Sequence, residues 1–171
     1  MAKNYIPNVD IYHAKLIFKN FRGLPKQFNP AGKRNFCVLL DDETAAKLEA
    51  DRWRVKYLQP KEEGDSPRPY LKVNVCYGSK VNPDGTVQDY GPDIWLITGE
   101  NKTLQNATTV GNIDVADIAD ARIRIRPFEY QGQLSAYLNK AYIMAKVDEF
   151  DMIYDEGDPS DLDIPEAVPF D

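Results

Sequence analysis

Histidine is almost missing from this chain: His13 is the single one. A triad needs one His, but nothing in the sequence places a Ser and an Asp with His13, and a lone His on an alternating strand reads as structural. Cysteine is nearly as scarce. Cys37 and Cys76 lie in apolar strand-like runs, far from CxxC or Cys/His zinc spacing, and read as reduced thiols of a cytoplasmic protein. No glycine-rich phosphate loop precedes a helix. The acidic run from Asp155 to Asp163 lacks the alternating ligand spacing of a calcium loop, and Pro159 interrupts it. No apolar run approaches the ~20 residues of a membrane span, and MAKNYIPNVD has no signal-like apolar stretch. The sequence thus calls for no cofactor, no metal, no membrane and no catalytic group.

What is present is a division of charge. The last 24 residues, from Asp148 to Asp171, hold ten acids and no Lys, Arg or His. They carry −10 of a chain whose net charge is −6, so the body of 147 residues carries +4. Such a block repels itself and predicts a disordered, solvated tail beyond one folded domain, 1–147. Ile164, Pro165, Val168, Pro169 and Phe170 place apolar groups at the end of this anionic tether. Two readings fit: a short peptide ligand held away from the body, or a solubilising tail with an incidental apolar end.

The body reads as strands. Val9 to Phe21 contains no Gly or Pro and predicts one long strand, with Tyr12, Ala14, Leu16 and Phe18 on one face. Arg22 to Arg34 is a loop carrying Arg22, Lys26, Lys33 and Arg34, with Phe21 and Phe28 beside them and no acid. Cations beside aromatic faces suit a single nucleic-acid strand; a solvated basic loop with Phe28 turned to the core also fits. Asn35 to Asp41 predicts a buried strand and Asp41 to Ala50 a capped helix. Trp53, Val55 and Tyr57 alternate with Arg54 and Lys56. Leu71, Val73 and Val75 alternate with Tyr70, Lys72 and Asn74. Asn82-Pro83-Asp84-Gly85 predicts a hairpin turn. Asp93 to Thr98 is a further strand, and Val110 to Ala119 has room for a helical turn. Gln133 to Val147 fits either period and is read as a strand with a bulge.

The sharpest segment is ARIRIRPFEY, Ala121 to Tyr130. Ile123 and Ile125 share one face. Arg122, Arg124, Arg126 and Phe128 line the other, about 6.5–7 Å apart. Guanidinium groups at that step match the phosphates of an extended single strand. The competing reading pairs them with acids on a neighbouring strand. Six to eight strands and one short helix, without βαβ alternation, predict a mainly β protein with a curled or closed antiparallel sheet.

Three pieces resemble phage single-stranded DNA-binding proteins built on an OB-fold. They are FRGLPKQFNPAGKRNFCVLL, the region from DIADARIRIRPFEY to LNKAYIMAKVDEFD, and the tail. The tail tip is similar to that of bacterial single-strand binding proteins, which typically ends Asp-Asp-Asp-Ile-Pro-Phe. Asp163-Ile164-Pro165 and Pro169-Phe170 match its two halves, while Glu166, Ala167 and Val168 intervene and Asp171 follows Phe170. The resemblance implies an OB-like β-barrel with one or two short helices. Arg22, Lys26, Phe28, Lys33, Arg34, Arg54, Lys56, Tyr70, Lys72, Arg122, Arg124, Arg126 and Phe128 would meet single-stranded DNA during replication or recombination. Ile164, Pro165, Pro169 and Phe170 would bind partner proteins. A homo-oligomer is left open. The alternatives are a protein-interaction or virion-assembly module and a metal-dependent nuclease.

Overall fold

The structure, a computed structural model, describes residues 6–26 and 29–146. The tail and Phe28, with the expectations attached to them, lie outside the described residues. Eleven strands and one α-helix follow in the order β1 (Val9–Ile11), β2 (Lys15–Asn20), β3 (Arg34–Leu39), α1 (Asp42–Ala50), β4 (Val55–Leu58), β5 (Arg68–Val75), β6 (Gly78–Val81), β7 (Val87–Tyr90), β8 (Asp93–Thr98), β9 (Asn101–Leu104), β10 (Ile118–Tyr130) and β11 (Gln133–Ala145). A 3-10 turn occupies Val110–Asp114, inside the stretch expected to hold a helical turn. That is more strands than the six to eight expected, because short polar strands such as Asn101–Leu104 carry no apolar alternation to announce them.

The expected single strand from Val9 to Phe21 is broken. His13 takes a left-handed backbone (φ 53°), and its Nδ1 lies 3.1 Å from Asp120 Oδ1. The break lets one stretch of chain pair on two sides. β1 runs antiparallel to β10, with Val9 opposite Ile125, and β2 runs antiparallel to β3, with Leu16 opposite Val38. The main path is β1-β10-β11-β5-β3-β2. Its ladder is not a closed ring, but its two ends are consecutive pieces of one chain. The Ala14 N–H, donating to the Ala121 carbonyl at 2.8 Å, ties the corner. Taking β1 and β2 as one kinked strand leaves five strands in a partly open barrel, the OB-like arrangement. The sheet is not wholly antiparallel: β11 runs parallel to both β5 and β8.

The core follows the alternation. Leu71, Val73 and Val75 point inward from β5, and Ile123 and Ile125 from β10. Phe21 and Phe36 stack at 5.0 Å and are fully buried, so Phe21 belongs to the core and not to the basic loop's surface. Tyr57, expected on the same face as Trp53 and Val55, does not share their burial. It is 45% exposed, and its hydroxyl bonds Glu49 of α1. Asp41 caps α1, its carboxylate accepting from the Thr44 N–H at 2.6 Å. Gln131 and Gly132, both left-handed, close the β10–β11 hairpin in two residues. Both cysteines are free thiols.

Candidate nucleic-acid interface

The outer face of β2, β3, β5 and the start of β11 carries three rungs set by strand register. Lys15, Leu39, Tyr70 and Lys56 stand side by side across β2, β3, β5 and β4. Ile17, Cys37 and Lys72 form the next rung. Asn35, Asn74, Tyr137 and Arg126 form the third, across β3, β5, β11 and β10. Neighbouring members are one strand spacing apart, about 4.8 Å. Burial holds the Cys37 thiol above its usual range, while the charges of Lys72 and then Lys56 pull it down. In register, Lys72 stands beside Cys37 and Lys56 beside Tyr70.

A second feature re-aims an aromatic ring onto it. The β2–β3 register slips between Ile17 and Asn20, and Phe18 there adopts φ 50°. A left-handed conformation costs a residue with a Cβ about 1–2 kcal/mol. The slip turns Phe18 outward, 60% exposed and edge-on to Tyr70 at 6.5 Å. Bulges of this kind redirect side chains at functional surfaces. Tyr137 is built into the same surface. Arg126 lies over its ring at 5.0 Å, and Phe128, half exposed, meets it edge-on at 5.8 Å. Phe18 and Tyr137 were both missed in the sequence. Phe18 continues the alternation of Tyr12, Ala14 and Leu16, and nothing in the sequence signals the bulge that moves it.

The basic loop between β2 and β3 closes one end. It is tied at its base: Asn20 Oδ1 accepts from the Leu24 N–H at 2.9 Å, and the Gly32 N–H donates to the Gly23 carbonyl at 2.8 Å. A side chain on Gly23 would press against the Gly32 backbone at 3.0 Å in a left-handed conformation. Asn29 donates to the Leu24 and Lys33 carbonyls, each at 3.0 Å. Lys26 and Lys33 project from this framework into solvent.

The other expected cations are placed differently. Arg34 donates to the carbonyls of Phe21 and Ala107 and lies over Tyr77 at 5.4 Å, so it braces the loop. Arg54 is half-buried and donates to the Tyr130 carbonyl at 3.3 Å. The stem of Arg22 rests on Gly111, away from the three rungs. On β10 the register is as expected, with Arg122, Arg124 and Arg126 outward and Ile123 and Ile125 buried. Asp10 of β1 holds two of the three: 2.7 Å to Arg124 Nε and 3.6 Å to Arg122 Nη2. Arg126 makes no salt bridge among the described residues.

A curved outer sheet face with cations over half-exposed rings, closed by a basic loop, provides charge for phosphate and flat faces for bases. No group of three or more His, Cys, Asp or Glu among the described residues is placed to hold a metal ion. No described helix is long and apolar enough to cross a membrane. Comparison with known families places the chain: the model of the putative phage ssDNA-binding domain matches residues 1–167. The chain belongs to that family. Single-stranded DNA binding is the function that this phage family carries. No curated protein matches the chain. Among solved structures, the single-stranded DNA-binding protein from bacteriophage Enc34 in complex with ssDNA is similar at 8% identity and a TM-score of 0.48. The similarity covers 83% of this chain and 88% of that one. A second structure of the single-stranded DNA-binding protein from bacteriophage Enc34 is similar at 9% identity and a TM-score of 0.46, covering 91% of this chain and 89% of that one.

Proposed function

We propose that this phage ssDNA-binding domain coats single strands during replication or recombination without reading their sequence and without catalysing a reaction. The strand crosses the three rungs, with bases against Phe18, Tyr70 and Tyr137. Its phosphates lie along Lys56, Lys72 and Arg126, and Lys26 and Lys33 close over it from the loop. The observation that carries this reading is Phe18, held outward in a strained conformation beside Tyr70 at the centre of a cationic face. No described helix presents the basic, groove-reading surface that would discriminate base pairs. In the same proposal, residues 148–171 form the tether. Ile164, Pro165, Pro169 and Phe170 recruit other replication or recombination proteins in the host cytoplasm.

A gel-shift comparison of single- and double-stranded DNA of equal length tests it. Preferential retention of the single strand supports the reading. Absence of single-strand binding overturns it in favour of an interaction or virion-assembly module. Mg²⁺-dependent cleavage of the strand would overturn the claim that the function is binding alone.

A further inference from the structure

The β11 strand continues past the rungs described above. Its register with β10 slips at Asn139, between the pairs Arg124–Lys140 and Ile125–Leu138. Beyond the slip it pairs with β8, which pairs with β9. The outer face there repeats the pattern of cations over rings with a different set of residues. Tyr142 stands beside Trp95 in register across β11 and β8. Lys102 of β9 lies over both rings, 4.5 Å from the Trp95 centroid and 4.9 Å from that of Tyr142. Lys140 also lies over Tyr142, at 5.3 Å. Across β10, Arg122 lies opposite Tyr142 and over Tyr12 at 4.5 Å, with Tyr12 57% exposed.

We propose that this β8–β9–β11 face is a second stacking platform for the same single strand, taking bases on Trp95 and Tyr142 and phosphates on Lys102 and Lys140. It rests on the single-strand reading of the domain and extends it to a site remote from the Phe18–Tyr70 groove. Three observations support it. The platform is continuous with the first face through Arg126–Tyr137 and Arg124–Lys140, and Tyr137 and Tyr142 are about 13–17 Å apart along β11. Its cations are unpaired: Lys102 and Lys140 make no salt bridge among the described residues, although Asp93 stands opposite Lys140 in register, and Asp10 is already engaged by the arginines. The hydrogen bond and charge of Lys140, with the charges of Lys102 and Arg122, hold the Tyr142 hydroxyl below the usual tyrosine range, a sign of concentrated positive potential. A lysine parked on a ring in the free protein can swing to a phosphate and release that ring for a base.

The tryptophans make the test direct. The chain has two, and Trp53 is only 4% exposed in the core. Trp95 is therefore the indole that DNA can reach. The full chain is titrated with fluorescent oligo-dT of about 5 and about 20 nucleotides, one near the lower end of the usual OB-fold span and one beyond its upper end. Anisotropy reads binding and tryptophan emission reads stacking. The expected result is quenching by the long oligonucleotide well beyond any caused by the short one. Trp95→Phe should abolish that quenching. Lys102→Gln should weaken the long oligonucleotide about 5-fold or more and leave the short one unchanged. Long-oligonucleotide binding by anisotropy with Trp95 emission unchanged overturns the platform and leaves the groove reading standing. Absence of binding to either length overturns the single-strand reading and the platform with it. Trp95 emission that changes with protein concentration and not with DNA overturns the platform and makes this face a contact between copies.

Discussion

Asp10 grips Arg124 with both carboxylate oxygens, accepting from Nε at 2.7 Å and from Nη2 at 3.1 Å across the β1–β10 pair. The grip holds the Asp10 carboxyl below the usual range, chiefly through the Arg124 hydrogen bond. A depressed carboxylate contributes stability that is fully present above its unfolded pKa, about 3.9, and is lost as pH falls through the lower folded value. Neutral-pH experiments therefore see the clamp closed. Asp10→Asn should release positive charge on β10, strengthen single-strand binding several-fold at low salt and steepen the salt slope by about 0.7–1.4 units. Its cost in stability should stay within about 1 kcal/mol, because the pair is partly exposed. Unchanged affinity in a salt titration would show that β10 between Arg122 and Arg124 does not meet DNA.

Among the described residues, Arg126 differs from its two neighbours in meeting a ring and no acid. Arg126→Gln should lower single-strand affinity several-fold and flatten the salt slope by about 0.7 units. The melting temperature should barely move. Arg122→Gln combined with Arg124→Gln should cost less affinity than Arg126→Gln alone, since Asp10 already neutralises part of their charge.

Phe18 should show opposed effects on stability and binding. Phe18→Gly removes a Cβ from a left-handed position, so thermal unfolding should occur at the same temperature or a higher one. Single-strand affinity should fall by about 1–3 kcal/mol, the usual worth of one base stacked on an aromatic ring. A variant that binds normally would show that the exposed ring has no role in the groove.

For the whole domain, log K should fall with log salt at a slope of about −3 to −4 if four to six phosphates are neutralised. Binding measured from low to moderate salt checks this, and a flat response would exclude a phosphate-led interface.

The tail supplies the remaining prediction. Ten acids tethered beside a body of +4 reach an effective concentration on the order of millimolar, enough to compete with phosphate for the same cations. Truncation after Val147 should tighten single-strand binding, most at low salt. Phe170→Ala should leave DNA affinity unchanged and weaken capture of partner proteins. Truncation that weakens binding at low salt would make the tail part of the binding surface.

Much of this was legible wherever the information is local. Alternation placed Tyr70 and Lys72 outward on β5 and the three arginines outward on β10, because a period of two fixes the face once the strand is known. The Asn82–Gly85 turn and the Asp41 cap were readable for the same reason. The kink at His13 and the bulge at Phe18 were not. Both are left-handed residues other than glycine; the kink is tied to β10, more than a hundred residues away, and the bulge to its pairing with β3. Nor could the sequence separate bracing cations from available ones. Arg34 and Lys33 are neighbours in one basic run, yet only Arg34 finds the Ala107 carbonyl, 73 residues away.

The kink at His13 also sets a schedule for synthesis. β2 can settle once β3 exists, but β1 has to wait for Ile123 to Ile125, more than a hundred residues further on. At about 5–20 residues per second that wait lasts several seconds or more on the ribosome. Contacts this distant fold slowly, because the chain must lose loop entropy before they form. During the wait, the edge of β1 with Val9 and Ile11 has no partner, and a neighbouring nascent chain's β10 would fit it as well as its own. At high expression the first product of misassembly should therefore be a dimer that has exchanged its N-terminal strand.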